Sequence, residues 1–254
     1  MKGSKYLTAS CAAWVLLAAS CSKESEQKTP QTKQLAQEIS PTAPAATSGT
    51  GAITGKVLFK GSASTAKLAV AKDKEVCGES KQDPSVLVGS DGGLKNAVVQ
   101  IAGLDQAKAP SPEPVLDQSK CEYVPHVLVV RAGASVTIRN SDGILHNVHT
   151  LSQINTPFNR AQPKFIKESK QTFAKPEIIP VRCDVHGWMS GWIIVTDNAY
   201  FAVTQSDGEF KLTEVPAGKY SLEVWHETLG SATQQVELKS GETVNVSFEF
   251  QMKK

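Results

Sequence analysis

The chain has few of the side chains that usually announce a function. Of its 254 residues only 6% are aromatic, and it holds five cysteines, five histidines and three methionines. So few cysteines in a chain of this length exclude a disulfide-dense miniprotein. A charged fraction of 20%, with no succession of long apolar runs, excludes a polytopic membrane protein. Charge of one sign is also lacking. Lys and Arg number 27 against 25 Asp and Glu, and Lys2 and Lys5 lie in a segment expected to be removed, which leaves 25 of each. A neutral chain gives no electrostatic case for nucleic acid. No nucleophile, general base or phosphate-cradling glycine loop is recognisable, so no enzyme is expected. A hydrophobic content of 40% is present, which excludes a disordered chain and directs attention to where the scarce Cys, His and Met fall.

Residues 1–20 read as a secretory signal. Lys2 and Lys5 form the positive end, Tyr6 to Ala19 an apolar stretch too short for a mature span, and Ala18-Ala19-Ser20 a small-residue site. The run Leu16-Leu17-Ala18-Ala19-Ser20-Cys21 resembles a bacterial lipobox, although Ala18 stands where that pattern prefers Leu. The resemblance implies that Cys21 becomes a lipid-bearing first residue. Ser22 after it leans towards the outer membrane of a bacterial cell envelope. Residues 21–50 are rich in Ser, Thr, Gln, Lys, Pro and Ala and cannot bury enough apolar surface to fold, so they are expected to form a flexible tether.

From Gly51 the apolar residues alternate or form short β-branched runs bounded by Gly, Pro, Asn and Asp. This pattern predicts strands at 53–59, 97–101, 126–131, 135–139, 192–196, 200–204, 220–225, 233–238 and 243–250. Only Phe165 to Phe173 hints at a helix. The expected class is all-β, as a sandwich or a pair of sandwiches. The stretch Thr204 to Val224, with Asp207-Gly208 and Pro216-Ala217-Gly218 turns, resembles the carboxypeptidase regulatory-like, transthyretin-related sandwich. That family opens with a Gly-x-Val strand and an Ala-x-Val strand, matched by Gly55-Lys56-Val57 and Ala97-Val98-Val99, about a hundred residues upstream. The resemblance implies one sandwich built from 52–103 and 199–251, interrupted by a second domain over 104–198. Two sandwiches in series, with the first strands belonging to the middle domain, is the alternative.

The middle stretch holds Asn140-Ser141-Asp142-Gly143-Ile144-Leu145-His146-Asn147-Val148-His149 and, some forty residues later, Cys183-Asp184-Val185-His186-Gly187-Trp188-Met189. A distant His with Cys-x2-His-x2-Met supplies a soft thiolate, two imidazoles and a thioether. That set suits copper cycling between Cu(I) and Cu(II), the blue-copper arrangement being His2Cys with a weak axial Met. Met1 is the initiator and Met252 lies at the C-terminus, so the only interior Met falls at the ligand position. Structural zinc uses closed Cys/His sets and has no need of Met.

From Cys121 to Thr196 the sequence resembles the cupredoxins, with a compact ligand loop similar to that of amicyanin. The resemblance implies a Greek-key sandwich in which His146, Cys183 and His186 are equatorial copper ligands and Met189 the axial one. Asn147 would tie the ligand loops together and supply a hydrogen bond to the Cys183 sulfur. A purple dinuclear site would need a second loop cysteine, and multicopper oxidases need repeated His-x-His and His-Cys-His motifs; both are absent from the sequence. By analogy the edge of His186 reaches the surface as an electron port, with Gly187, Trp188 and Trp192 as an apolar docking patch for a cytochrome or oxidoreductase partner. His126, His149 and His226 receive no ligand role. Once Cys11 leaves with the signal, Cys21 takes lipid and Cys183 takes copper, Cys77 and Cys121 remain, and in an oxidising compartment they are expected to form a disulfide. The functions implied are one-electron transfer or, on the same ligands, copper storage and delivery. A carbohydrate- or protein-binding sandwich with a degenerate site is the third reading.

Overall fold

The computed structural model describes residues 49–61, 65–104 and 112–252. The expected signal segment 1–20, the lipid acceptor Cys21 and nearly all of the 21–50 tether lie outside them. The first two stretches carry β1 (Thr50–Phe59), β2 (Lys67–Ala69), a single helical turn α1 (Lys74–Cys77), β3 (Ser80–Gln82) and β4 (Val98–Ile101). Nine strands follow: β5 (Val115–Ser119), β6 (Glu122–Val124), β7 (Val127–Arg131), β8 (Ser135–Asn140), β9 (His146–Thr150), β10 (Asn159–Gln162), β11 (Glu168–Thr172), β12 (Glu177–Arg182) and β13 (Ser190–Thr196). The last are β14 (Phe201–Val203), β15 (Glu209–Pro216), β16 (Gly218–His226), β17 (Gly230–Leu238) and β18 (Thr243–Phe250). The fold is all-β.

Strand periodicity decides which faces are buried. Along β18, Val246, Phe248 and Phe250 are buried while Asn245, Ser247 and Glu249 face water, as a period of two dictates. In β1 the inward set is Ile53, Gly55, Val57 and Phe59. Gly55 has no room for a side chain, because a Cβ there would stand 1.9 Å from the carbonyl oxygen of Val246. Each fully buried Val, Leu, Ile or Phe contributes roughly 1.5–3 kcal/mol by leaving water. The sheets β15-β1-β18 and β14-β4-β16-β17 enclose one core, containing Ile53, Ile101, Leu212, Leu222 and Phe248. The sheets β10-β9-β12-β13-β7 and β11-β8-β5-β6 enclose another, containing Leu116, Ile138, Val148, Phe173, Ile179 and Ile193.

Strand β1 pairs with β15 and β18, and β4 with β14 and β16, so the early strands lie among the C-terminal ones. The chain leaves β4 and returns in β14 at adjacent positions, Gln100 opposite Phe201. Asp207-Gly208 makes the turn into β15 with Gly208 at φ 72°; a Cβ there would meet the Val57 carbonyl at 2.3 Å, so only glycine fits.

One expectation is corrected. Phe165 to Phe173 is not helical: Glu168–Thr172 is an edge strand laddered to β8. Its five residues are polar and alternate between exposed and half-buried, and Phe165 is 77% exposed, so the apolar residues share no helical face.

A small third cluster, Val98, Val127, Val129 and Ile194, joins the two sandwiches, with Trp192 and Trp225 packed against it. Glu227 holds this junction, accepting the Trp192 indole N–H at 2.7 Å and pairing with His126 Nε2 at 2.5 Å. Trp192 meets Trp225 edge-on, ring centroids 5.2 Å apart.

Candidate metal centre

The ligand-bearing loop is a tight connection between antiparallel neighbours. Arg182 in β12 faces Ser190 in β13, and residues 183–189 span the gap. Two backbone bonds close it: the Cys183 N–H donates to the Met189 carbonyl at 3.2 Å and the Met189 N–H to the His186 carbonyl at 2.8 Å. The His186 N–H points at Cys183 Sγ, 3.4 Å away. On its other edge β12 pairs with β9, His149 opposite Arg182, which brings the strand opening at His146 alongside the loop. The turn before His146 is shaped by Asn140, whose amide donates to the carbonyls of Ile144 and Gln162 at 2.8 Å each.

Three of the four expected ligands converge with their donor atoms. Sγ of Cys183 and a ring nitrogen from each of His146 and His186 lie within 4.8 Å of one another, and all three residues are buried. The two Nδ1 atoms face each other at 2.9 Å, and Cys183 Sγ is 3.8 Å from His186 Nδ1. Met189 is buried in the same core cluster as Cys183. A second grouping, Cys121, Asp142 and His146, offers no independent site, because the Cys121 sulfur is bonded to Cys77 with the Cα atoms 5.1 Å apart.

Asn147 links the loops through one oxygen. Its Oδ1 accepts the N–H groups of Asp184 at 2.7 Å and Val185 at 3.3 Å, and the Cys183 sulfur lies 3.2 Å away and donates to it in the thiol form. The Tyr123 hydroxyl donates to the Asn147 carbonyl at 2.6 Å, and burial followed by the nearby Cys183 pushes this phenol far above its ordinary value.

The electrostatics favour the charged forms of both Cys183 and His146. Burial alone would raise the Cys183 thiol, but His146 and the backbone N–H groups of Asn147, His186 and Val185 outweigh it and hold it below its ordinary value. Burial likewise opposes a charge on His146, yet Asp142, 2.8 Å from its Nε2, and the Cys183 sulfur raise its pKa above 6.5. Burial, helped by the charge on His146 and opposed by Asp73, pushes His186 below 6.5. Of the two imidazoles, His146 is the one whose surroundings favour the proton. This donor set fits copper: a cysteine whose neighbours favour the thiolate, two imidazoles turned inward and a thioether in the same core.

A pH prediction follows. Metal uptake must expel any proton held by His146, so apparent copper affinity should rise with pH until the raised His146 value is passed and level off above it. A competition titration between pH 5 and 9 would contradict the assignment if affinity did not rise with pH anywhere in that range. In the metal-free chain the same raised pKa contributes stability fully present below 6.5 and lost as pH rises through the folded value.

Two surface expectations are corrected. His186 has no exposed edge, since its side chain is wholly buried and its Nε2 lies 2.9 Å from Asp73 Oδ2. Trp192 belongs to the junction between sandwiches, and Trp188 is half-buried with its indole N–H on the Cys121 carbonyl at 3.2 Å and its ring 5.1 Å from that of His186. Trp188 and Met189 also line a cavity of about 670 Å³ beside Tyr123, His126 and Phe201, so this face opens on the junction. His149 pairs with Asp184 at 3.0 Å, and His226 is buried with Nδ1 accepting the Thr228 N–H at 3.3 Å. Sequence reasoning missed Asp142 and Asp73. The first stands four residues before His146 in a turn motif that held a usable clue; the second is more than a hundred residues upstream and had none.

Residues 193–252 match the model of the carboxypeptidase regulatory-like domain. No curated protein sequence matches the chain. Among solved structures, an oxidised amicyanin variant is 24% identical over 39% of this chain and 98% of its own, with a TM-score of 0.31. A purple cupredoxin from Nitrosopumilus maritimus is 19% identical over 33% and 100%, TM-score 0.29. The Cu-containing nitrite reductase from Thermus scotoductus SA-01 is 22% identical over 38% of this chain, which spans a quarter of that enzyme's length, TM-score 0.31. The likeness to cupredoxins is weak and partial, and the fold assignment rests on the sheets and cores described above.

Proposed function

We propose that the chain is a type 1 copper protein that carries single electrons between redox proteins of a bacterial cell envelope. The observation that supports it most is the convergence of Cys183 Sγ and the Nδ1 atoms of His146 and His186 in a buried cluster. His146, Cys183 and His186 would hold the ion, with Met189 as the weak fourth donor. Copper would supply a centre that changes charge by one without bond making or breaking. The protein's part is to keep that change cheap: the closed 183–189 loop, Asn147 and Asp142 fix the donors in place, so little rearranges between oxidation states.

Burial of all three donors leaves no open approach for a substrate, which favours electron transfer over turnover. In this reading Cys21 carries a lipid, residues 21–50 tether the sandwiches to the outer membrane on its periplasmic side, and the partner is a cytochrome or oxidoreductase. Storage or delivery of copper uses the same ligands but requires exchange. Repeated chemical oxidation and reduction of the copper-loaded full chain, with metal content measured after each cycle, separates the two. Undiminished copper after ten cycles is expected; progressive loss to a chelator during cycling would instead make it a delivery protein.

A further inference from the structure

The segment between β1 and β4 puts a carboxylate on the outer nitrogen of a metal-site imidazole. Asp73 Oδ2 lies 2.9 Å from His186 Nε2, and the ring beneath it has no exposed surface. Asp73 sits in the left-handed region, φ 51° and ψ 40°, immediately before α1, and its carbonyl accepts the N–H groups of Val76 at 3.0 Å and Cys77 at 2.9 Å. That turn sets the carboxylate against the buried ring while Asp73 itself stays 43% exposed, like the exposed residues 71–76 around it. Asp and Asn tolerate this backbone; most other residues do not.

Nothing about the segment's own composition would hold it there. Its two strands β2 and β3 have three residues each and pair only with one another. Its anchors to the sandwich that holds Cys183 include the buried Val70, the Lys81 ammonium on the Lys120 carbonyl and, as the one covalent tie, the disulfide from Cys77 to Cys121. Cys121 is in turn tied to the site, for its N–H donates to Asp142 Oδ2 at 2.7 Å, and the same oxygen meets His146 Nε2 at 2.8 Å. One covalent bridge therefore joins the carboxylates on both imidazoles, Asp73 on His186 and Asp142 on His146.

We propose that Asp73 is a positioning residue of the copper centre and that the Cys77–Cys121 bridge holds it over His186 as a closed cap. This rests on the copper reading above. By accepting the Nε2–H, Asp73 fixes the ring tautomer that leaves Nδ1 free to face Cys183 and His146. Its charge favours the more positive oxidation state of an ion held on the other side of the ring. Its segment covers the ring edge, so metal leaves by this route only when the segment lifts.

Two substitutions compatible with the left-handed backbone test it. Asp73→Gly removes the carboxylate; Asp73→Asn keeps an acceptor and drops the charge. The readouts are the rate of Cu(I) transfer from the loaded full chain to a competing chelator, the reduction potential, and the ring NMR signals of His186 in the metal-free chain. Asp73→Gly should speed transfer by about 10- to 100-fold, the usual effect of losing a partner of a ligating imidazole. It should also raise the potential and make the Nε2 proton exchange rapidly. Asp73→Asn should keep the transfer rate within about threefold, keep the Nε2 proton protected and still raise the potential, a shift that a merely structural residue would not cause. Unchanged transfer, potential and ring exchange in Asp73→Gly would overturn the proposal while leaving the copper reading intact. If the unsubstituted chain formed no copper–thiolate chromophore, the copper reading would fall, and the metal-free ring signals would still show whether Asp73 fixes His186.

Discussion

Replacing Cys183 by Ser is expected to abolish the visible absorption of the copper-loaded chain and to weaken copper binding by about 100-fold or more. Partners of a metal's ligands typically account for 10- to 100-fold in affinity, and a ligand itself should account for at least as much. The cause is chemical. Intense visible absorption in such a centre requires a thiolate donor, and a serine hydroxyl is a hard, neutral donor at any ordinary pH. The surroundings favour a negative sulfur: His146, whose own charged form is favoured, lies beside it, and the N–H groups of Asn147, His186 and Val185 point at it. Absorption that survived in Cys183→Ser would locate the chromophore elsewhere.

Removing the disulfide with Cys77→Ala and Cys121→Ala together should lower the thermal midpoint by roughly 8–16 °C. The bridge closes 44 residues, for which the chain-entropy relation gives about 4 kcal/mol at 25 °C. In a folded unit of about 200 residues each kcal/mol moves the midpoint by roughly 2–4 °C. Both cysteines are buried in the core that also holds Cys183, so the change also leaves a small void. Calorimetry of the full chain under non-reducing conditions checks this, and a midpoint shifted by less than about 2 °C would show that the bridge imposes no constraint of this size.

Much of this architecture was legible because strands repeat every two residues. The alternation of Val246, Phe248 and Phe250 marks β18 as plainly in the sequence as in the core it enters. Strands that carry few apolar side chains gave no such signal. β10 (Asn-Arg-Ala-Gln) and β11 (Glu-Ser-Lys-Gln-Thr) are edge strands fixed by ladders to β9 and β8, and their side chains are mostly in water. The candidate site was legible where its residues crowd into one loop, since Cys183 and His186 need only local chain to meet. Asp73 became visible only through a long-range contact, which separation in sequence hides. The same contact explains why an exposed port at His186 was expected and a capped ring was found. Trp192 misled for a related reason: its ring is large and apolar, but whether such a ring faces a partner or a second sandwich depends on what packs over it, here Trp225 and Glu227.

The central claim is that His146, Cys183, His186 and Met189 together form a type 1 copper centre. The most direct measurement is a Cu(II) titration of the metal-free full chain, followed by visible absorption and electron paramagnetic resonance. The account predicts saturation at one copper per chain, an intense thiolate-to-copper band and a narrow copper hyperfine splitting. Binding without that band, or a spectrum with the wide splitting of copper held by nitrogen and oxygen alone, would contradict it.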